Sequence, residues 1–180
     1  MLGCKAIGVP QDKNCKLRVD LGDKIEYLNM YRFMIGKLIY LTITRPDLSY
    51  AIGLVSQFMQ QPTKPHLDCI RRILRYVKAT QNFGLFYRAD LDIKLEGYTD
   101  ADWAGSQTDR RSTSGYMFTL GSAGISWSSK KQATVALSSI EAEYRGAAIA
   151  TCEEVWIKRL LADLGVYVDG VVTIWCDNMS

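Results

Sequence analysis

The period of the apolar positions changes along the chain and divides it into three stretches. Residues 1–26 show no sustained period; Gly3, Gly8, Pro10, Asn14, Gly22 and Asp23 punctuate them, which predicts an irregular arm. From Tyr27 onward, Tyr31, Met34, Ile35, Leu38, Ile39 and Leu41 recur at three- and four-residue steps, the signature of a helix with one buried face. That helix is expected to stop at Thr44-Arg45-Pro46. Proline disfavours helix in the residue before it but suits a first helical position, and Asp47 follows where the helix dipole favours an acid. Leu48, Ala51, Ile52, Val55, Phe58 and Met59 line a second helix, closed by Gln60-Gln61-Pro62. A third begins near Pro65 with Ile70, Ile73, Leu74 and Val77 on its apolar face, and Arg71, Arg72, Arg75 and Lys78 on another.

Beyond Asn82-Phe83-Gly84 the period falls to two. Leu85-Phe86-Tyr87 reads as a short strand. Leu91, Ile93 and Leu95 then alternate with Asp92, Lys94 and Glu96 in a strand that runs into Gly97-Tyr98-Thr99-Asp100-Ala101-Asp102-Trp103-Ala104-Gly105. Tyr116, Phe118 and Leu120 alternate in the next strand, and Ile125-Ser126-Trp127 opens a third after a Gly121-Ser122 turn. Short connections imply an antiparallel meander, followed by a basic loop at Lys130-Lys131-Gln132. Ser138-Ser139-Ile140-Glu141 is a capping-box pattern, with Ser138 as N-cap and Glu141 reaching back, and it opens a helix that Gly165 stops. Val171–Cys176 is a nearly continuous apolar run, which predicts a strand buried on both faces, typically central and parallel. The fold class is therefore α+β, with α/β character: an arm over 1–26, a helical segment over 27–80, and β-β-β-α-β order over 81–180.

Composition narrows the chemistry. Hydrophobic residues at 48% and charged residues at 23% suit a packed globular chain and argue against wholesale disorder. No apolar run reaches the length of a membrane span and the N-terminus lacks a signal-peptide pattern, so an intracellular protein, cytoplasmic or nuclear, without membrane contact is expected. The five cysteines, Cys4, Cys15, Cys69, Cys152 and Cys176, have no CxxC spacing and read as reduced thiols. His66 is the single histidine, which nearly excludes imidazole metal sites and Ser-His-Asp chemistry. The net charge of +3 conceals a split: residues 1–89 hold 14 Lys/Arg against 6 Asp/Glu, and residues 90–180 hold 8 against 13. A basic half joined to an acidic half points to polyanion contact by the first and cation binding by the second, or equally to chance segregation of surface charge. The Arg71/Arg72/Arg75/Lys78 stripe carries the same two readings, a phosphate-backbone contact or an ordinary solvated face.

The acidic half offers a converging set. If the long helix crosses over the sheet, the last strand lies parallel to an earlier one. Placed beside the Asp100 strand, it brings Asp177 to Asp100. Glu143, in the first turns of the helix, is the third candidate; Gly146, Ala147 and Ala150 on the same face let the helix approach the sheet closely. Glu141 competes with Glu143 but already has a capping role, and Asp102 competes with Asp100 but reads better as a turn aspartate. Three carboxylates without histidine or cysteine select hard cations, Mg²⁺ or Mn²⁺, and two such ions activate water in phosphodiester cleavage.

These residues also carry a resemblance. Gly97–Gly105, Asp109-Arg110-Arg111-Ser112-Thr113-Ser114-Gly115-Tyr116, Ile125–Gln132 and Val135–Tyr144 resemble the ribonuclease H domain of copia-type retrotransposon polyproteins. Upstream, Tyr31-Arg32, Gly36–Thr42, Thr44-Arg45-Pro46-Asp47, Arg72–Lys78 and Asn82–Leu85 resemble the segment that follows the reverse transcriptase palm. The resemblance implies a partial ribonuclease H-like fold over 81–180 behind a thumb-like helical segment. It also implies metal-dependent cleavage of RNA in RNA–DNA hybrids during reverse transcription. It places two Mg²⁺ or Mn²⁺ ions on Asp100, Glu143 and Asp177, and phosphate contacts on Arg71, Arg72, Arg75, Lys78, Lys130 and Lys131. The partners it implies are the hybrid and the remainder of the Pol polyprotein. No Tyr-x-Asp-Asp polymerase motif occurs, and the family's fourth acid, later helices and last strand fall beyond residue 180. Impaired activity is therefore expected, with a non-catalytic nucleic-acid-binding remnant or a decayed transposon fragment as the alternatives.

Overall fold

A computed structural model describes residues 3–12, 17–19, 21–89, 93–168 and 170–177. The chain forms two compact units, divided between Gly84 and Leu85.

The first unit is helical. Helix α1 spans Leu28–Leu41, a 3₁₀ turn Pro46–Leu48, α2 Ser49–Ser56 and α3 Lys64–Ala79. Its core is the set of apolar positions that the three- and four-residue steps mark: Tyr31, Ile35 and Leu38 from α1, Ala51, Ile52 and Val55 from α2, Ile70 and Ile73 from α3. Tyr31 is fully buried and keeps its hydroxyl satisfied by donating to the Val55 carbonyl at 2.7 Å. The Thr44-Arg45-Pro46-Asp47 stretch is built around Arg45, whose side chain is 6% exposed. Its guanidinium forks onto both Asp47 oxygens at 2.8 and 2.7 Å and donates to the Thr80 carbonyl and hydroxyl at 2.9 and 2.7 Å. Arg45 so ties the α1–α2 turn to the end of α3. His66 is also fully buried; it stacks on Phe58 and accepts from the Thr63 backbone N–H at 2.9 Å, capping α3. The first 26 residues contribute an isolated bridge, Lys24 to Thr63, and bury Leu17 in this core.

The second unit is a four-stranded sheet with one helix across it. Strands β1 Leu95–Asp102, β2 Thr113–Leu120 and β3 Ala123–Lys131 form the expected antiparallel meander, α4 runs Ser139–Asp163, and β4 spans Thr173–Cys176. The spatial order is β3-β2-β1-β4, with β4 parallel to β1. Leu95, Gly97, Thr99 and Ala101 alternate inward along β1, and Phe118 from β2 fills the space above Gly97. Helix α4 comes close where its own residue is small: a Cβ on Gly146 would stand 3.4 Å from Thr99 Oγ1 and 3.7 Å from Ala101 Cβ. Ala142 and Ala150, on the same side of α4, are fully buried. Ser138 caps α4 by accepting from Glu141 N, and Gly165 at φ +77° follows its end.

Four details differ from the sequence pattern. Leu85-Phe86-Tyr87 is irregular and not a strand; it is tied to the β2–β3 hairpin through Tyr87, which donates its hydroxyl to the Gly124 carbonyl, and through the following Arg88, whose N donates to Ser122 Oγ. Leu91 and Asp92 lie outside the described residues. Lys130 and Lys131 are not in a loop; the β2 ladder extends through both, Lys130 opposite Ser114 and Lys131 opposite Thr113. Strand β4 is parallel but not central or buried on both faces. It borders the sheet with β1 as its one described partner, and Trp175 on it is 55% exposed; Val171, in the expected run, falls before the strand and is 97% exposed. The capping box is also displaced by one residue: Glu141 reaches back to Leu137 N at 2.7 Å instead of to Ser138 N.

Candidate metal centre

The parallel pairing of β1 and β4 builds the site. Its register sets Thr99 against Cys176, so Asp100, the next residue of β1, and Asp177, the residue just past β4, stand at the same end of the sheet. Thr99 and Cys176 share the α4 side of the sheet, while Asp100 has the opposite parity and is exposed. Glu143 enters from the first turns of α4, one turn before the close approach at Gly146. Its Oε1 accepts from Ala101 N at 3.3 Å and its Oε2 lies 3.6 Å from Cys176 Sγ.

Among the described residues, Glu143, Cys176 and Asp177 present ligand atoms that lie within 4.8 Å of one another. Asp100 lies outside that group of three, but its charge acts on the same carboxyl. Glu143 is half-buried, and burial pushes its pKa up from the ordinary carboxylate range. The Ala101 N–H opposes that rise, Asp100 adds to it, the Cys176 thiol opposes it, and Asp177 adds to it. The net shift is upward. An upward shift caused by desolvation and two neighbouring carboxylates is what a divalent cation would reverse, and the oxygen donors suit a hard one. The residues present fit Mg²⁺ or Mn²⁺.

Two rivals from the sequence are placed elsewhere. Asp102 closes β1 and its carboxylate covers the turn: a Cβ at Gly105 would collide with it, which explains the glycine. The turn continues through Ala104 at φ 54°, held by Ser112 Oγ accepting from Ala104 N. Glu141 pairs with Arg145 at 2.6 Å and with Leu137 N, a capping role away from the site.

The basic residues are engaged within their own units. Arg71 pairs with Asp68 at 2.8 Å, Arg72 lies 3.6 Å from Asp12, Arg75 donates to the Lys5 carbonyl at 2.7 Å, and Lys78 donates to the Cys4 carbonyl at 2.9 Å. The stripe on α3 thus anchors the N-terminal segment. Lys131 pairs with Asp109 at 3.2 Å and donates to Ser106 Oγ at 3.0 Å, bracing the β1–β2 connection. Lys130 is exposed. Cys176 is the group that sequence reasoning missed; its signal was its place directly before Asp177, at the end of a strand expected to carry a ligand.

Comparison with known proteins gives relatives across the whole chain. It is 45% identical over 180 residues to a retrovirus-related Pol polyprotein from transposon RE1 of Arabidopsis thaliana, matching all of this chain and 12% of that protein. It is 42% identical over 151 residues to the Pol polyprotein of transposon TNT 1-94 of Nicotiana tabacum, matching 83% of this chain and 11% of that one. A shorter relative, secreted RxLR effector protein 161 of Plasmopara viticola, is 49% identical over 128 residues, which is 71% of this chain and 90% of the effector. No family model matches the chain, and no solved structure matches it.

Proposed function

The chain belongs to the retrovirus-related Pol polyproteins of copia-type transposons, of which it spans about an eighth, and from that footing we propose that residues 85–180 are a ribonuclease H-type unit. Its reaction is the metal-dependent hydrolysis of RNA in RNA–DNA hybrids. The observation that carries this reading is the meeting of Glu143 from α4 with Asp177 at the end of β4, beside the Asp100 end of β1. Three acids from three elements at one sheet end concentrate negative charge where a substrate phosphate must approach, an arrangement that only a cation makes productive.

Asp100, Glu143 and Asp177 would hold Mg²⁺ or Mn²⁺. A pair of such ions, when bound, supplies a nucleophilic water at neutral pH and stabilises the leaving oxygen. The chain's own groups set the stage. The Ala101 N–H orients the Glu143 carboxylate toward Asp177. The small residue at Gly146 lets α4 sit near enough to the sheet for Glu143 to reach it. Parallel pairing of Thr99 with Cys176 sets Asp177 at the same end of the sheet as Asp100. Lys130, exposed on β3, is the phosphate contact assigned on this side; contact by Arg71, Arg72, Arg75 or Lys78 would require exchange of their bonds within the helical unit. The RNA–DNA hybrid is the proposed substrate and the rest of a Pol polyprotein the proposed context.

The test is cleavage of a hybrid labelled on its RNA strand, with chain in excess and Mg²⁺ or Mn²⁺ added. RNA cleavage that chelation stops is expected. Asp100→Asn, Glu143→Gln and Asp177→Asn should each slow it on the order of 10²-fold or more, as when a group aimed at developing charge is removed. Cleavage indifferent to all three substitutions, or an intact hybrid at saturating Mn²⁺, would refute the assignment.

A further inference from the structure

Gln132 is buried where the sequence pattern expects a basic loop. It follows the end of β3 and is 5% exposed. Its amide Nε2 donates to Ser114 Oγ on β2 at 2.8 Å and to the Ala142 carbonyl on α4 at 2.9 Å. We propose that Gln132 is a positioning residue: its side-chain amide ties the first turn of α4 to the sheet and so sets where Glu143 presents its carboxylate. The inference rests on the reading of Asp100, Glu143 and Asp177 as a cation site, and adds a residue that acts on that site through Glu143.

Geometry carries it. The amide grips α4 at Ala142, the residue directly before Glu143. Its other partner, Ser114, lies opposite Ala101 in the β1–β2 ladder. Ala101 N is the donor from which Glu143 Oε1 accepts at 3.3 Å. One side chain therefore joins the helix that carries Glu143 to the strand beside the one that orients it. Helix α4 also comes close to the sheet here: a Cβ on Gly146 would stand 3.5 Å from Ser114 Oγ. The backbone of Gln132 is itself fixed, its N donating to the Ser112 carbonyl at 2.9 Å, so the amide has a firm base.

Energetics point to position, and not stability, as what the amide supplies. Gln132 Oε1 is buried and meets no hydrogen-bond partner among the described residues. A buried acceptor left in that state destabilises the fold. Within an α-helix the Ala142 carbonyl already accepts from the N–H four residues on, so the bond from Gln132 is not needed to satisfy it. A methionine, flexible and apolar, would fill the same space and leave no orphaned oxygen. It would lose the directed bond between α4 and β2.

The test combines Mn²⁺ titration of the full chain, read by electron paramagnetic resonance, with amide hydrogen exchange at Ala101. Gln132→Met should unfold in urea at or above the wild-type midpoint. Its Mn²⁺ affinity should nevertheless fall roughly 10–100-fold, as when a group that orients a metal ligand is removed. Its Ala101 amide should exchange faster than in wild type, with the Phe118 amide unchanged. Added to Glu143→Gln, Gln132→Met should bring no further loss of affinity, because it acts through Glu143. Unchanged Mn²⁺ affinity and Ala101 exchange in the folded variant would overturn the inference and leave the cation reading standing. Losses from the two substitutions that multiply would overturn it as well. If Gln132→Met does not fold, Ser114→Ala, which frees one end of the amide, should speed Ala101 exchange in the same way, and unchanged exchange would count against the proposal. Failure of wild type to bind Mn²⁺, with the Ala101 effect present, would refute the cation reading and uphold the positioning of Glu143 by Gln132.

Discussion

The β1 strand that carries Asp100 packs under the Phe118 ring of β2 only without a side chain at position 97. An ideal Cβ on Gly97 would lie 2.5 Å from Phe118 Cε1, 3.0 Å from Cζ and 3.1 Å from Cδ1. Carbon atoms pack best at about 3.5–4.0 Å, so Gly97→Ala creates an overlap of about 1 Å with a ring that is fully buried. Overpacking of that kind costs about 1–3 kcal/mol. Phe118→Leu removes the obstructing ring atoms and by itself costs about 1–2 kcal/mol as a cavity-forming change. Urea unfolding followed by tryptophan fluorescence measures both, because Trp103, Trp127, Trp156 and Trp175, all four tryptophans of the chain, lie in the 85–180 unit. Each single substitution should lower stability, and the double variant should fall short of their sum by about 1 kcal/mol or more, the mark of a shared contact. Costs that add within about 0.5 kcal/mol, or a neutral Gly97→Ala, would refute the packing argument for this glycine.

Arg45→Met should destabilise the helical unit by about 2–4 kcal/mol, below the full cost for a buried pair because Asp47 retains some solvent; amide hydrogen exchange across α1 and α3 measures it. Burial holds the pKa of His66 below its usual value, so its neutral form belongs to the folded state. The associated stability is complete above the ordinary value of about 6.5 and is lost as the pH falls through the lower folded value. Since His66 is the single histidine, the acid-side loss followed by circular dichroism should flatten in His66→Asn, which is itself less stable. Glu143→Gln keeps an acceptor for Ala101 N but removes a carboxylate whose pKa is raised, so without metal it should melt higher than wild type near neutral pH. The two should converge as acid protonates Glu143, and a lower melting temperature at neutral pH would contradict the charge-cluster reading.

What could be read in the sequence was local. The steps of Tyr31, Ile35 and Leu38, the Ser138 cap and the Gly165 stop are properties of neighbouring residues, and the helices follow them. The period-2 runs marked β1 to β3 for the same reason, and helix crossover logic made β4 parallel to an earlier strand, which the fold shows to be β1. What escaped depended on distance along the chain. Arg75 meets Lys5 and Lys78 meets Cys4, 70 and 74 residues away, so a stripe that looks like a phosphate contact has other partners in the fold. Leu85-Phe86-Tyr87 has strand composition but forms no strand; the contacts of Tyr87 and Arg88 are with the distant β2–β3 hairpin. The apolar run in β4 predicted burial on both faces, yet burial depends on what lies alongside, and one described strand and one helix face do not supply it. Cys176 escaped because its importance arises from register: opposite Thr99, it is turned to the side from which Glu143 arrives.

The central claim is that acids from β1, α4 and the end of β4 make one divalent-cation site. Electron paramagnetic resonance of Mn²⁺ titrated into the wild-type chain and into Asp100→Asn, Glu143→Gln and Asp177→Asn tests it without reference to turnover. The account predicts saturable binding by wild type, displaced by excess Mg²⁺ and weakened at least tenfold by each substitution. Binding that survives all three unchanged, or no saturable binding by the folded wild type, would contradict it.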